Sequence, residues 1–124
     1  MSDDITQIEA VLQTYFDGLY EGDAGKLAAA FHDSADLRSV AADGSLAVLP
    51  RGQWLEGVKS RPSAKAQGLE RKDWVVSIDR SGPNTAFAKV QCQIPPRYFT
   101  DYLSLAKVGG SWKVVAKTFH TDTR

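Results

Sequence analysis

The sequence predicts an α+β fold in which helices come first and an antiparallel sheet follows. Apolar residues recur at helical spacing in the N-terminal part of the chain, and alternate with polar residues from Trp74 onward. Tight-turn dipeptides separate the later segments, as expected for strands joined by hairpins. This order argues against a doubly wound nucleotide-binding fold, which needs strands and helices in alternation.

The first helix is predicted over residues 3–20. Its apolar residues are spaced by three and four, so they form one stripe of an amphipathic helix. They are Ile5, Ile8, Leu12, Tyr15, Phe16 and Leu19. Ser2 and the two aspartates after it supply the N-terminal cap and the matching dipole charge, and Gly22 ends the helix.

Two shorter helices are predicted further along the chain. Asp23 can cap a helix in which Leu27 and Phe31 lie one turn apart. A third helix is predicted over residues 51–60, where apolar residues beginning at Trp54 return at helical spacing, although two glycines weaken it.

Six strands are predicted around these helices. The first two, residues 35–40 and 45–49, are joined by Asp43-Gly44, and Pro50 ends their hairpin. The remaining four are predicted over residues 74–79, 86–93, 98–108 and 112–120. Strict alternation would place Trp74 and Val76 on one face of the sheet with Ile78.

Composition excludes two classes of partner. Fifteen basic and fifteen acidic side chains leave no net charge, whereas nucleic acid and anionic membranes attract an excess of positive charge. The first residues are acidic where a signal peptide is basic, and no apolar run reaches the roughly 20 residues that a membrane-spanning helix needs. At 124 residues we expect one cytoplasmic domain over residues 1–124, with no nucleic-acid and no membrane partner.

Two stretches resemble a known superfamily. Residues 15–23, followed by Phe31-His32, resemble the opening of the nuclear transport factor 2-like (NTF2-like) superfamily. Residues 99–105, followed by Gly110-Ser111-Trp112-Lys113, resemble its branch described as putative lumazine-binding, close to the SnoaL-like polyketide cyclases. The resemblance implies a cone-shaped, strongly curved antiparallel sheet wrapped around three helices, which is a cystatin-like fold. It also implies an apolar pocket inside the cone and a homodimer formed through the sheet.

Ketosteroid isomerase, a well-defined enzyme of this fold, suggests the site residues. Its oxyanion-binding tyrosine and aspartic acid match Tyr15 and Asp101, while the position of its general base falls on Ser39. A serine hydroxyl does not take a proton unaided at neutral pH, which argues against the same proton abstraction. If Asp101 is buried with few charge partners, burial favours its neutral form, and Lys107 is too far along the strand to neutralise it.

We therefore predict a cavity in which Tyr15 and Asp101 orient a small apolar or aromatic, ring-shaped ligand. The predicted ligand-binding residues are Tyr15, Phe16, Leu19, Phe31, Leu37, Ser39, Trp54, Trp74, Val76, Phe99, Asp101, Leu103, Trp112 and Thr118. An equally weighted alternative is that Tyr15 and Asp101 form a structural hydrogen-bonded pair in the core.

An enzyme of the isomerase, cyclase or dehydratase type is the second hypothesis. Its catalytic residues would be Asp101, His120 and Tyr15, because His120 shares the predicted face of Trp112 and titrates near neutral pH. Asp36 is a further candidate base. No histidine pair at metal-ligand spacing, phosphate loop or dinucleotide fingerprint occurs, so no metal and no cofactor are predicted.

An interaction protein is the third hypothesis, and a cavity smaller than about 300 Å³ would favour it. A homodimer through the sheet is expected in any case, because the outer face would otherwise leave apolar area in water. The residues assigned to that face are Val75, Phe87, Tyr102 and Val115. Cys92, the single cysteine, is predicted to be a buried and inert thiol.

Overall fold

The computed structural model describes residues 3–124, so the predicted role of Ser2 lies outside the described residues. Along the chain the elements are α1 (Asp4–Glu21), α2 (Ala24–Ala30), β1 (Asp36–Val40), β2 (Leu46–Pro50), α3 (Arg51–Lys59), β3 (Asp73–Ser81), β4 (Thr85–Ile94), β5 (Arg97–Val108) and β6 (Ser111–Thr123). The predicted α+β order is confirmed.

Local sequence accounts for the ends of the first two helices. The Asp3 side chain caps α1 by accepting a hydrogen bond from the Thr6 amide at 2.7 Å. Gly22 ends α1 with a φ of +66°, a left-handed conformation that glycine adopts without strain. The Asp23 side chain then caps α2 by accepting from the Lys26 amide. The two helices follow one another with a single short turn between them and pack against each other.

The strands form one curved, unclosed sheet of six strands in the order β2-β1-β6-β5-β4-β3. Neighbouring strands pair antiparallel except β1 and β6, which run parallel over a short register, Leu37 opposite Lys117 and Arg38 opposite Thr118. The helices cover the inner face of this sheet, and the buried stripe of α1 packs into the core there. No helix among residues 3–124 is long and apolar enough to cross a membrane.

A bulge in β6 reverses the predicted faces of its second half. Ser104 of β5 lies opposite Ala116, but Leu105 lies opposite Val114, so Val115 is the extra residue. Trp112 and Val114 are buried before the bulge, whereas Lys117 and the half-buried Phe119 occupy the inner face after it. The prediction that Thr118 and His120 share the inward face of Trp112 is therefore wrong. Both side chains lie beyond Val115, point outward and are exposed.

A second bulge changes the faces of β3. Val75 lies opposite the buried Val90, and the next paired residue is Ser77, so Val76 is the extra residue. Trp74 lies opposite Gln91, on the outer side, and is 50% exposed. The prediction that Trp74 and Val76 face the interior with Ile78 is wrong, and so is the assignment of Val75 to the outer face.

Candidate functional site

Three polar side chains meet in the apolar interior between α1 and the sheet. Tyr15 comes from the buried stripe of α1, Asp101 from the inner face of β5, and Lys117 from β6 just after its bulge. The Tyr15 hydroxyl donates a hydrogen bond to Asp101 Oδ2, and Lys117 Nζ donates one of 2.8 Å to the Tyr15 hydroxyl oxygen. We call these three residues the polar cluster.

Asp101 is fully buried and receives its partners on one oxygen. Lys117 Nζ lies 3.6 Å from Oδ2 and forms an ion pair with it, and the Cys92 thiol donates weakly to the same oxygen at 3.9 Å. Asp101 Oδ1 has no hydrogen-bond partner. The condition of few charge partners is not met, because the β6 bulge brings Lys117 to the inner face beside Asp101.

Aromatic rings surround the Lys117 ammonium group. Its Nζ lies 4.7 Å from the ring centroid of Phe119, 5.3 Å from that of Tyr15 and 5.4 Å from that of Trp54. Such distances allow cation–π attraction, which is strongest where water is excluded. The Lys117 side chain is only 6% exposed, so the ion pair and the rings together hold a charge that would otherwise be costly to bury.

Burial also changes the acidity of two neighbours of Asp101. The pKa of Tyr15 lies well above its usual value, first because the phenol is fully buried and second because the negative charge of Asp101 is adjacent. Burial likewise raises the pKa of the Cys92 thiol to about 12, with a further contribution from Asp101. Both groups therefore keep their protons at neutral pH.

The Cys92 thiol is expected to resist alkylation in the native protein. Because its pKa is raised to about 12, very little of the reactive thiolate exists at pH 8, and the side chain is buried. Iodoacetamide labelling followed by mass spectrometry should show little modification in buffer and full modification in denaturant. Rapid labelling in buffer, at the rate of a free thiol, would contradict this prediction.

A cavity of about 220 Å³ opens beside the polar cluster, and Lys117 is the member of the cluster that lines it. The lining residues are Leu19, Leu37, Leu49, Trp54, Arg61, Ile94, Arg97, Phe99, Lys117, Phe119 and Thr121. A second cavity of about 210 Å³ adjoins it near the loop after α3 and shares four of these residues, Leu19, Arg61, Ile94 and Arg97. We call the two together the inner cleft.

The predicted ligand-binding residues separate into three groups. Those that line the inner cleft are Leu19, Leu37, Trp54 and Phe99. Those that are buried in the core without lining it are Tyr15, Phe16, Phe31, Asp101, Leu103 and Trp112. Those that lie elsewhere are the half-buried Ser39 and the exposed Trp74, Val76 and Thr118. The indole of Trp112 instead donates to Asp4 at the start of α1.

His120 lies apart from the polar cluster. It is opposite Thr100, on the outer face of the sheet, whereas its neighbour Phe119 is opposite Asp101 on the inner face. The His120 side chain is 71% exposed and forms a hydrogen bond with Asp122 at 2.9 Å. The other candidate base, Asp36, is held by Arg38, whose two hydrogen bonds lower the pKa of that carboxyl. The geometry does not bring either residue to Asp101.

Sequence reasoning missed the basic residues of the inner cleft. One signal in the sequence could have revealed the position of Lys117. The large apolar side chains occupy even positions at Trp112 and Val114 but an odd position at Phe119. Such a change of parity within one strand is typical of a bulge. No such signal marked Arg61 and Arg97, because they belong to two separate segments of the chain that come together only on folding.

Comparisons with known proteins agree with this fold. A model of the family described as "Putative lumazine-binding" matches residues 3–120. An NTF2-like protein of unknown function from Shewanella baltica OS155 is 28% identical, with a TM-score of 0.85 over 100% of both chains. Another, from Methylobacillus flagellatus KT, is 29% identical, with a TM-score of 0.84 over 99% of this chain and 95% of that one. These likenesses confirm the predicted superfamily.

A shorter match links the chain to a curated protein. A segment of 44 residues is 36% identical to Aldolase FrzH from Cladobotryum sp., covering 34% of this chain and 35% of that protein. The aligned segment therefore spans about a third of either protein.

Proposed function

Because this chain belongs to the putative lumazine-binding family of NTF2-like proteins, we propose that it is a binding protein that holds a small ring-shaped ligand in the inner cleft. The observation that carries the proposal is the combination of an aromatic, largely apolar cavity with one buried amine on its wall. Ligand sites are typically built in this way, with few polar groups that fix orientation.

Lys117 is the polar contact that we assign to the ligand. Tyr15 and Asp101 do not line the cavity, so they would orient the ligand through Lys117 rather than touch it. An ammonium group has three donors, and the hydrogen bond to Tyr15 uses one of them. A carbonyl or ring nitrogen of the ligand can accept another, while Trp54 and Phe119 contact its flat faces.

The size of the cleft bears on the competing interaction-protein hypothesis. Each cavity alone is smaller than the roughly 300 Å³ at which ligand sites begin. The two lie side by side, however, since they share four lining residues, and we propose that one ligand occupies both. This arrangement supports ligand binding over a closed interior.

Acid–base catalysis by Asp101 with His120 receives no support from the geometry, since the two side chains lie on opposite faces of the sheet. Ligand binding requires no such pair. It uses the cleft and Lys117 as they stand, and we therefore place the binding function first.

Titration with lumazine tests the proposal directly, with binding followed by the change in fluorescence of the heterocycle. Thr121→Trp fills the cavity from the inner face of β6 and should abolish binding. His120→Trp, which places the same side chain one residue away on the outer face, should leave binding unchanged. Equal binding by both variants would show that the heterocycle binds outside the cleft and would contradict the proposal.

We further propose that two copies pair through the outer face of the sheet. Phe87 and Tyr102 stack there with centroids 6.0 Å apart and are 37% and 43% exposed. A groove of about 380 Å³ beside them is lined by Phe87 and the half-buried Val115. Exposed apolar area of this kind is typical of an interface between subunits.

The double variant Phe87→Lys/Tyr102→Lys is expected to be monomeric, because it places like charges where two apolar surfaces would meet. Sedimentation velocity at micromolar concentration should give a dimer for the wild type and half that mass for the variant. Thr118→Lys adds a single charge on the same face, so it should weaken the dimer less than the double variant does. A wild-type protein that sediments only at 13.5 kDa would contradict the proposed dimer.

A further inference from the structure

The ionisable groups on the lining of the inner cleft all carry the same sign of charge. The lining contains Arg61, Arg97 and Lys117 and no aspartate or glutamate among the residues that the structure describes. This is unexpected in a chain whose basic and acidic side chains are equal in number. Three of the fifteen basic side chains thus lie together on the lining of the inner cleft.

The three positive charges differ in how they are compensated. Lys117 is paired with Asp101 at 3.6 Å in the interior. Arg61 donates from Nε to the carbonyl of Gly57 at 3.0 Å, and the Arg97 guanidinium lies 5.9 Å from the ring centroid of Phe99. Neither arginine forms an ion pair with any carboxylate in residues 3–124. Two uncompensated guanidinium groups thus remain in the cleft.

The position of these arginines gives the cleft an aromatic part and a positively charged part. Both are exposed residues and both belong to the lining shared by the two cavities. The aromatic wall of Trp54, Phe99 and Phe119 lies in the first cavity. A ligand whose ring enters the aromatic part would therefore present its other end to the arginines.

We propose that the ligand of the inner cleft is a monoanionic ring compound whose carboxylate is bound by Arg61 and Arg97. The inference rests on the proposed binding function and names the ligand class. Guanidinium groups match a carboxylate with paired N–H donors, and the partly enclosed site strengthens that attraction relative to open water. Lys117 then contacts the ring end, since its own charge is already balanced by Asp101.

Two probes with the same ring system, one charged and one uncharged, test the inference. 2-Naphthoate and its uncharged amide, 2-naphthamide, have the same ring and nearly the same size. Titration calorimetry at low salt should show the carboxylate binding about tenfold more tightly than the amide. Raising the salt concentration should weaken the binding of the carboxylate and leave the binding of the amide unchanged. The reason is that salt screens the charges of solvent-exposed arginines.

Arginine variants locate the source of the preference. Arg61→Gln/Arg97→Gln should lose much more affinity for the carboxylate than for the amide, so that the tenfold preference disappears. Arg124→Gln, an exposed arginine that lines neither part of the inner cleft, should keep the preference. An equal loss of affinity for both probes in the double variant would mean that the arginines support the cleft rather than bind the anion, which would overturn the inference.

The remaining outcomes separate the two proposals. If both probes bind the wild type equally and Thr121→Trp abolishes both, the ligand class is wrong while the binding function stands. If neither probe nor lumazine binds, the binding function fails, and the inference fails with it. A preference for the carboxylate that survives in Arg61→Gln/Arg97→Gln would also overturn the inference, because another group would then hold the anion.

Discussion

Replacing Lys117 by methionine is expected to lower the free energy of unfolding by about 3–5 kcal/mol, since removing one partner of a buried ion pair leaves the other charge without compensation. Asp101 is fully buried, and its Oδ1 already lacks a partner. Lys117 also donates to the Tyr15 hydroxyl, so the substitution removes that hydrogen bond as well. Urea denaturation followed by circular dichroism measures the loss.

The companion variant Asp101→Asn/Lys117→Met shows whether charge is the cause. It removes both charges and keeps an oxygen that can accept from Tyr15, so it should recover most of the stability lost by Lys117→Met. Lys59→Met, which removes a 60%-exposed lysine from a surface ion pair, should change stability by less than about 0.5 kcal/mol. If the free energy of unfolding falls equally little in Lys117→Met and Lys59→Met, the buried ion pair does not stabilise the fold.

Replacing Phe31 by alanine is expected to lower the free energy of unfolding by a similar amount, about 3–5 kcal/mol, because the cavity left by a buried aromatic ring collapses only partly. Phe31 is fully buried, with its ring centroid 4.9 Å from that of Trp54 and 5.4 Å from that of Tyr15. It therefore supports one residue of the cleft wall and one of the polar cluster.

Phe31→Leu fills most of the same volume and should lose clearly less stability than Phe31→Ala. Val40→Ala is the surface control, since Val40 is 71% exposed and should lose little. The near-ultraviolet circular dichroism of the native protein should also change in Phe31→Ala, because the tryptophan and tyrosine rings that it contacts lose their fixed surroundings. A loss of less than about 1 kcal/mol would mean that the core rearranges to fill the space.

Local sequence was sufficient for the helices and for most turns. Asp3, Gly22 and Asp23 act on neighbouring backbone groups, so their effects can be read within a few residues. The Asp43-Gly44 turn likewise joins the two strands that it was predicted to join. The pairing of Tyr15 with Asp101 followed from the resemblance, because 86 residues separate them and no local pattern connects them.

The faces of two strands could not be predicted by alternation, since a bulge depends on how a strand registers against its neighbour. Val115 and Val76 are each an extra residue in a strand pair, so the alternation of faces before the bulge does not continue after it. Alternation therefore assigned Lys117 to the outer face and Trp74 to the inner face, both wrongly. These assignments changed the predicted site more than the predicted fold. Arg61 and Arg97 were missed for the related reason that a cleft gathers residues from separate segments.

The short parallel register between β1 and β6 has a consequence for how the cleft is reached. The β1–β2 hairpin joins the rest of the sheet over only two residue pairs, and β2 is exposed along its whole length. Leu37 and Leu49, which line the cleft, belong to this hairpin. Segments with few buried contacts open at a lower free energy than the whole molecule unfolds. We therefore expect the hairpin to open at a lower free energy than β4 and β5, so that this part of the cleft wall can move while the core stays folded.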